Sequence, residues 1–453
     1  MMKNVAVILA GGTGQRLGTA IPKQFLKVAG KSVIEHTLEV FEKNPNIDEI
    51  AIVSHANFIR EIEELVIENQ LKKVKKILCG GEERYHSSLS AINAYSDDEN
   101  VNLIFHDSVR PLVTDRIIND CISALNTYGA VDVAIPTTDT VIQVENKFIE
   151  SIPNRNKLQN GQTPQAFSLG VIKKAYEIAL KDPNFITTDD CGVVKKYLPD
   201  EKIYVVKGEQ FNLKLTYKED IFLLDKLFQL KSSSFKKESL ATNCLNNKVM
   251  VIFGGTEGIG EAIVVMAKEL GAKVYAVSRR EGVDITDAES VKQALEIAFL
   301  HNGKIDYVIN TAAILDQQPL DSMSYDDIAR SIHVNYMGAI IVSKEAMDYL
   351  KQSKGMLLQF TSSSYTRGRM MYSIYSSCKA AIVNLVQALS EEWNEYGIRV
   401  NCINPERTKT PMRVKSFGQE PEDTLLTADE VALYTIKTLL SKITGQVIDV
   451  KRN

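Results

Sequence analysis

Short apolar runs recur along the first half of the chain, at residues 5–10, 49–54, 76–79, 103–107, 131–136 and 203–207, and longer amphipathic stretches separate them. Runs of four to eight apolar residues without strict alternation are what a strand buried on both faces requires. Strand alternating with helix over such distances predicts a mostly parallel sheet covered on both sides. The rhythm breaks at residues 231–247, KSSSFKKESLATNCLNN, where Ser, Lys and Asn dominate and no apolar period remains for a strand or long helix to bury. This segment reads as a linker. A second series follows at residues 248–255, 273–278, 305–313, 355–362, 399–404 and 445–450. The expectation is an α/β chain of two tandem doubly wound, Rossmann-like domains, 1–230 and 248–453, each a mostly parallel sheet with helices on both faces.

Length agrees, since 453 residues exceed what one hydrophobic core supports. Lys+Arg 53 against Asp+Glu 57 gives a net charge of -4, which supplies no general field for nucleic acid or an anionic membrane. The six cysteines are scattered without a C-x-x-C pair, so they read as small core residues in a reducing compartment. The opening MMKNVAVILAGG ends in glycines rather than a cleavage site and reads as a buried strand. No run approaches the roughly 18 apolar residues of a membrane helix, so the expected location is the cytoplasm.

Two glycine-rich loops carry the chemistry. The first, Ala10-Gly11-Gly12-Thr13-Gly14-Gln15-Arg16-Leu17-Gly18, follows the first strand, with Lys23 shortly after. Glycines let main-chain N–H groups approach an anion, but the G-K-[ST] ending of a P-loop is missing and Leu17 stands where a dinucleotide fingerprint would place its last glycine. Arg16 and Lys23 supply the cations a triphosphate needs; taken alone, the same stretch is a tight turn with two solvated basic residues.

With Gly80-Gly81-Glu82-Glu83-Arg84 and Ser87, His106-Asp107-Ser108-Val109-Arg110-Pro111, Asp139-Thr140, Arg155, Thr163-Pro164-Gln165, Thr188-Asp189-Asp190 and Asn212-Leu213-Lys214, the loop resembles the methylerythritol-phosphate and ribitol-phosphate cytidylyltransferases over residues 3 to about 230. That resemblance implies transfer of a cytidylyl group from CTP to a polyol or sugar phosphate, with Arg16, Lys23 and Lys214 as the catalytic cations. It places Ala10, Gly11, Gly12, Gly14, Gly80, Gly81, Ser87 and Asp107 around CTP, with Asp107 holding a magnesium ion or the ribose. It assigns Arg110, Thr140, Arg155 and Thr163 to the acceptor, and implies a homodimer or higher oligomer in which Arg155 serves the neighbouring subunit.

In the second loop Gly254, Gly258 and Gly260 follow a strand at G-x-x-x-G-x-G spacing, with Ile259 between the last two, a pattern that seats a pyrophosphate at a helix N-terminus. The next strand ends in Ser278-Arg279-Arg280 rather than in an acidic residue, which suits a 2′-phosphate and favours NADPH over NADH; two solvated arginines are the plain alternative. Tyr375 and Lys379 are one helical turn apart, Ser362 lies thirteen residues before Tyr375, and Asn310-Thr311-Ala312-Ala313 and Asn335 precede them.

This order resembles the short-chain dehydrogenase/reductase family over residues 248–453. It implies Tyr375 as general acid, Lys379 lowering the phenol's pKa and holding the ribose, Ser362 on the substrate oxygen and Asn335 in a proton relay. Gly254, Gly258, Ile259, Gly260, Ser278, Arg279, Arg280, Asp284, Asn310, Ala312, Tyr375 and Lys379 would contact the cofactor. Phe253, Thr311, Ala313 and Glu406 depart from the family pattern, Asn310-Thr311-Ala312-Ala313 standing for N-N-A-G and Glu406 replacing a glycine beside the nicotinamide.

The pairing is similar to that of bifunctional enzymes that make CDP-ribitol for bacterial capsules. It implies NADPH-dependent reduction of ribulose 5-phosphate, then cytidylyl transfer with release of pyrophosphate. Two alternatives stay open: methylerythritol 4-phosphate as acceptor, and a second domain that only binds NADP or dimerises.

Overall fold

The computed structural model describes residues 2–12, 21–98, 100–232 and 240–452, and the chain divides into two compact units, Met1–Asp225 and Lys226–Asn453. In the first, β1 (Lys3–Ala10), β2 (Glu49–Ser54), β3 (Val74–Cys79), β4 (Val101–Asp107), β5 (Ala130–Pro136), β6 (Gln159–Ser168) and β7 (Ile203–Lys207) form one sheet in the order β7-β5-β6-β4-β1-β2-β3. β1 pairs in parallel with β2 and β4. Val5 and Val7 pack into one hydrophobic layer while Ala6, Ile8 and Ala10 pack into the opposite one. Both faces of the strand are thus covered, which is why its sequence does not alternate.

β6 was not legible as a strand. It runs antiparallel between β4 and β5 and carries Gln159, Asn160, Gln162, Thr163 and Gln165. Its polar side chains find partners inside the protein: Gln165 Nε2 lies 3.1 Å from both Asp132 Oδ1 and Asp189 Oδ2, and Gln162 Nε2 donates to Glu209 O at 2.9 Å. The hairpin of Gln143–Glu145 and Phe148–Ser151 is a second element that apolar patterning did not mark.

The second unit is a wholly parallel sheet, β8 (Val249–Phe253), β9 (Lys273–Val277), β10 (Tyr307–Asn310), β11 (Met356–Phe360), β12 (Arg399–Pro405) and β13 (Val447–Val450), in the order β9-β8-β10-β11-β12-β13. Val251 and Phe253 face one core layer, Met250 and Ile252 the other.

The expected linker is corrected at its two ends. The helix Glu219–Ser232 runs into it, and Leu245 is fully buried in the second unit's core, so one isolated leucine in a polar stretch fills a packing position. Among the described residues, no helix is long and apolar enough to cross a membrane.

Candidate active sites

Register places the first site. Ala10 on β1 pairs with Ser54 on β2, Ser54 pairs with Cys79 on β3, and Leu9 lies opposite Asp107 on β4. Gly11, Gly80 and Asp107 therefore emerge along one edge, the carboxyl ends of parallel strands, where open α/β sheets hold ligands. A Cβ on Gly80 would come within 2.6 Å of Ser87 Oγ, and one on Gly11 within 3.1 Å. Those close approaches bring Gly11, Gly80 and Ser87 to one spot. Lys23 is pinned to the same edge by its neighbour, because Gln24 Nε2 donates to Ala10 O at 3.0 Å, and Lys23 Cε lies 3.9 Å from the Cβ position of Gly12. Gly14 and Arg16 lie outside the described residues.

Asp107 is the electrostatic focus. Its Oδ2 lies 2.9 Å from Lys214 Nζ and 3.3 Å from Arg110 Nε. Burial alone would push the carboxyl up, but Lys214, Arg110 and Arg84 outweigh it and hold the group well below the usual carboxylate range. Arg110 is held in turn by Asn212 O at 2.8 Å. The expected acceptor residue Thr163 stands behind this group: its hydroxyl accepts from the Asp107 N–H at 3.2 Å and lies 3.0 Å from His106 Nδ1. Thr140 and Arg155 are exposed, and Arg155 Nη1 donates to Thr138 O at 3.2 Å; no hydrogen bond or ion pair links either to Asp107 among the described residues. Arg84 had no assigned role in the sequence reading. It reaches fully buried Asp190 at 2.7 Å, across 106 positions of sequence, and Tyr176 Oη donates to the other carboxylate oxygen at 2.7 Å. The Thr188-Asp189-Asp190 motif was the available signal.

Burial lowers both His106 and His36 to about 4. Each ring nitrogen Nε2 meets a main-chain carbonyl, Arg110 O at 3.1 Å and Val28 O at 2.7 Å. An unfolded chain protonates these rings near pH 6.5, so between there and pH 4 it binds protons that the folded chain refuses. Stability must fall as pH drops through that window, by up to about 3 kcal/mol for each histidine. Urea unfolding at pH 7 and pH 5 checks this: His36→Asn, which keeps a donor for Val28, should lose less stability over the interval than the parent. Equal losses would refute it.

In the second unit a cavity of about 350 Å³ runs from the glycine loop to Tyr375 and Lys379. Gly254 and Gly258 have φ of 78° and 60°, and a Cβ on Gly260 would meet Gly254 O at 2.1 Å, so only glycine permits this turn at the start of the helix Gly258–Glu269. Thr311, a departure from the family pattern, seats the loop by donating to Phe253 O at 2.9 Å and Gly254 O at 3.1 Å. Ile259, Ser278, Arg279, Arg280, Asp284 and Ala312 line the cavity. Asn310 does not: its amide donates to Gln359 Oε1 at 3.0 Å and accepts from Ala312 N at 3.2 Å, behind the wall it was expected to form.

Tyr375 and Lys379 share a face of the helix Ser373–Glu392. The expected lowering of the phenol by Lys379 is corrected: burial pushes Tyr375 up to about 12, with a hydrogen bond to Ser362 opposing, and burial lowers Lys379 itself to about 8. Lys379 Nζ donates to Phe360 O at 2.9 Å and lies 5.5 Å from the Tyr375 ring centre. Asn335 sits in the π-helical turn His333–Met337, its side chain clamped to Ile314 N at 3.0 Å and Ile314 O at 2.9 Å. Glu406 turns away from the cavity. Its Oε2 accepts from Arg452 N at 3.2 Å, and Pro405 is the wall residue instead.

Known proteins match both halves. The family described as 2-C-methyl-D-erythritol 4-phosphate cytidylyltransferase matches residues 4–229, and short chain dehydrogenase matches residues 281–421. The bifunctional ribulose 5-phosphate reductase/CDP-ribitol pyrophosphorylase Bcs1 of Haemophilus influenzae is 49% identical over 99% of this chain and 96% of its own. The 2-C-methyl-D-erythritol 4-phosphate cytidylyltransferase of Thermobifida fusca is 42% identical over 49% of this chain and 92% of its own. The solved 4-diphosphocytidyl-2C-methyl-D-erythritol synthase of Anaerococcus prevotii is 30% identical with a TM-score of 0.45, covering 50% of this chain and 96% of its own.

The chain is thus a cytidylyltransferase domain joined to a nicotinamide-dependent short-chain reductase domain. Similarity over the full length of both partners makes it a member of the bifunctional ribulose 5-phosphate reductase/CDP-ribitol pyrophosphorylase family.

Proposed function

We propose that this chain reduces D-ribulose 5-phosphate to D-ribitol 5-phosphate with NADPH and then joins the product to CTP, giving CDP-ribitol and pyrophosphate. The observation that carries the reading is the 49% identity to a relative named for both activities, spanning both domains rather than one. Methylerythritol 4-phosphate as acceptor would leave the reductase without a part in the sequence. A merely cofactor-binding second domain would not need Ser362 bonded to Tyr375 with Lys379 one turn away.

The reductase cradle fits a dinucleotide: a helix N-terminus behind three glycines, opening into the cavity that ends at Tyr375. The nicotinamide supplies the hydride. Tyr375 keeps its proton at neutral pH and is therefore in the acid form that reduction needs, giving that proton to the carbonyl oxygen while Ser362 holds the oxygen. Arg279 and Arg280 line the cavity beyond the end of β9, and their charge would suit a 2′-phosphate. Arg280 pairs with Glu257 at 2.9 Å, but both side chains are largely exposed, so this pair is weak and yields to a phosphate.

In the transferase, Lys23 and Lys214 would gather positive charge on the triphosphate, joined by Arg16 as the family resemblance implies. Among the described residues no cluster of three or more His, Cys, Asp or Glu side chains is built to hold a metal. Asp107, held ionised, would offer one carboxylate to a magnesium ion that arrives on the CTP phosphates. The test is direct: protein, ribulose 5-phosphate, CTP and magnesium with NADPH should yield CDP-ribitol, slowly or not at all with NADH. CDP-methylerythritol from methylerythritol 4-phosphate at a higher rate would overturn the reading.

A homodimer completes the transferase site. The hairpin exposes Val144, Phe148 and Ile149 at 55%, 78% and 59%, an apolar surface that a second copy would cover. Arg155, at the foot of this arm, would then reach the partner's acceptor. Co-expressed Arg155→Ala and Lys23→Ala chains should regain transfer that neither shows alone. Random pairing makes about half the dimers mixed, each with one intact site, so roughly a quarter of parental activity should return. No recovery would place Arg155 in its own subunit's site or outside any site.

A further inference from the structure

A reductase for a sugar phosphate must recognise a phosphate as well as a ketone, and nothing in the nicotinamide cradle does so. Resting on the reductase reading above, we propose that Arg369, assisted by Arg367, binds the substrate's phosphate group at the reductase site.

Position is the first argument. Residues 366–372 form the loop between the turn that carries Ser362 and the helix that carries Tyr375 and Lys379. Arg369 Nη2 donates to the hydroxyl of Ser363 at 3.0 Å, so its guanidinium is anchored one residue from the group that holds the carbonyl oxygen. In ribulose 5-phosphate five bonds separate the ketone carbon from phosphorus, a span that matches a cation beside the serine turn rather than on it.

Charge is the second. Three cations near this end are already held by other partners. Arg413 makes a two-pronged pair with Glu420 at 2.6 and 2.9 Å, Arg330 lies 3.2 Å from Asp316, and Lys379 is buried against Phe360 O. Among the described residues, neither Arg367 nor Arg369 pairs with a carboxylate, and both are exposed. Two unneutralised guanidiniums two residues apart repel one another and are stabilised by a dianion between them, and the planar fork of arginine suits phosphate oxygens.

Backbone strain is the third. Met371 adopts φ of 77°, a conformation costly for a side chain of that size, and Gln318 N donates to Met371 O at 2.7 Å to hold it. The loop is thus folded back and fixed rather than left to wander.

Steady-state reduction of ribulose 5-phosphate and of unphosphorylated D-ribulose by the full-length enzyme tests this. Arg369→Ala should raise KM for the phosphate ester about 10- to 100-fold, the loss of a charge-assisted contact. It should leave kcat/KM for D-ribulose and KM for NADPH unchanged. Arg369→Lys should recover part of the affinity, and adding Arg367→Ala to Arg369→Ala should raise KM further. Equal loss on both sugars would show that Arg369 only shapes the Ser362 turn and overturn the proposal, as would an unchanged KM. A parent enzyme that reduces neither sugar refutes the reductase reading itself, a result distinct from either.

Discussion

Tyr375→Phe should abolish NADPH-dependent reduction while transfer from supplied ribitol 5-phosphate continues at the parental rate. The ring survives the change and keeps its edge-to-face packing on Tyr372, 6.3 Å away, so the helix Ser373–Glu392 has no reason to move. What disappears is the phenol proton bonded to Ser362, and loss of a general acid costs about 10²- to 10⁴-fold in rate. The proton matters because hydride addition leaves an alkoxide, which the site would then have to hold bare. Independence of the two activities follows from their placement in separate compact units, each with its own sheet and core. Loss of both activities in this variant would contradict separately folding domains. Retention of reduction would show that water or Ser362 delivers the proton.

Lys214→Ala should lower cytidylyl transfer about 10²- to 10³-fold and leave the reductase untouched, the size expected when one preorganised charge is removed from a developing anion. Besides its charge toward the triphosphate, Lys214 has a structural task. It stands 2.9 Å from Asp107, and it helps hold that carboxyl ionised against burial. Arg110 remains at 3.3 Å after the change, so Asp107 is weakened rather than abandoned. The sign of the stability effect follows: Asp107 titrates below its unfolded value, so its contribution is present above about pH 4 and is lost as pH falls. The variant should therefore lose less stability on acidification than the parent. A fall in transfer of less than tenfold would assign Lys214 to Asp107 alone and leave the triphosphate to Lys23 and Arg16.

How much of this was legible in the chain depended on whether neighbours in sequence are neighbours in space. β1 and the glycines after it, or Tyr375 and Lys379 on one helix, are local patterns, and residues 5–10 and the four-residue spacing announced them. β6 was hidden because amides and a hydroxyl occupy most of it ahead of the buried pair Ala166 and Phe167, and buried Gln162 and Gln165 are satisfied by Glu209, Asp132 and Asp189 from distant segments. Patterning reads hydrophobicity and has no signal for a buried polar residue whose partner is far away. The same blindness concealed the Arg84–Asp190 pair and the bond from Asn310 to Gln359. Glu406 was a different failure: its identity was read correctly as unusual, but the direction of its side chain is set by the 3.2 Å contact with residue 452.

The double-sided burial of β1 and β8 also bears on how these domains tolerate change. In a strand with one wet face, a mutational scan for polar substitutions shows a period of two, because every second position is forgiving. Here residues 5–8 and 249–253 are all buried, so no position offers that relief. Drift in these segments is confined to exchanges among aliphatic residues of similar volume. A scan would read them as flat intolerant blocks, bracketed by permissive helix faces, and such blocks mark strands covered on both sides.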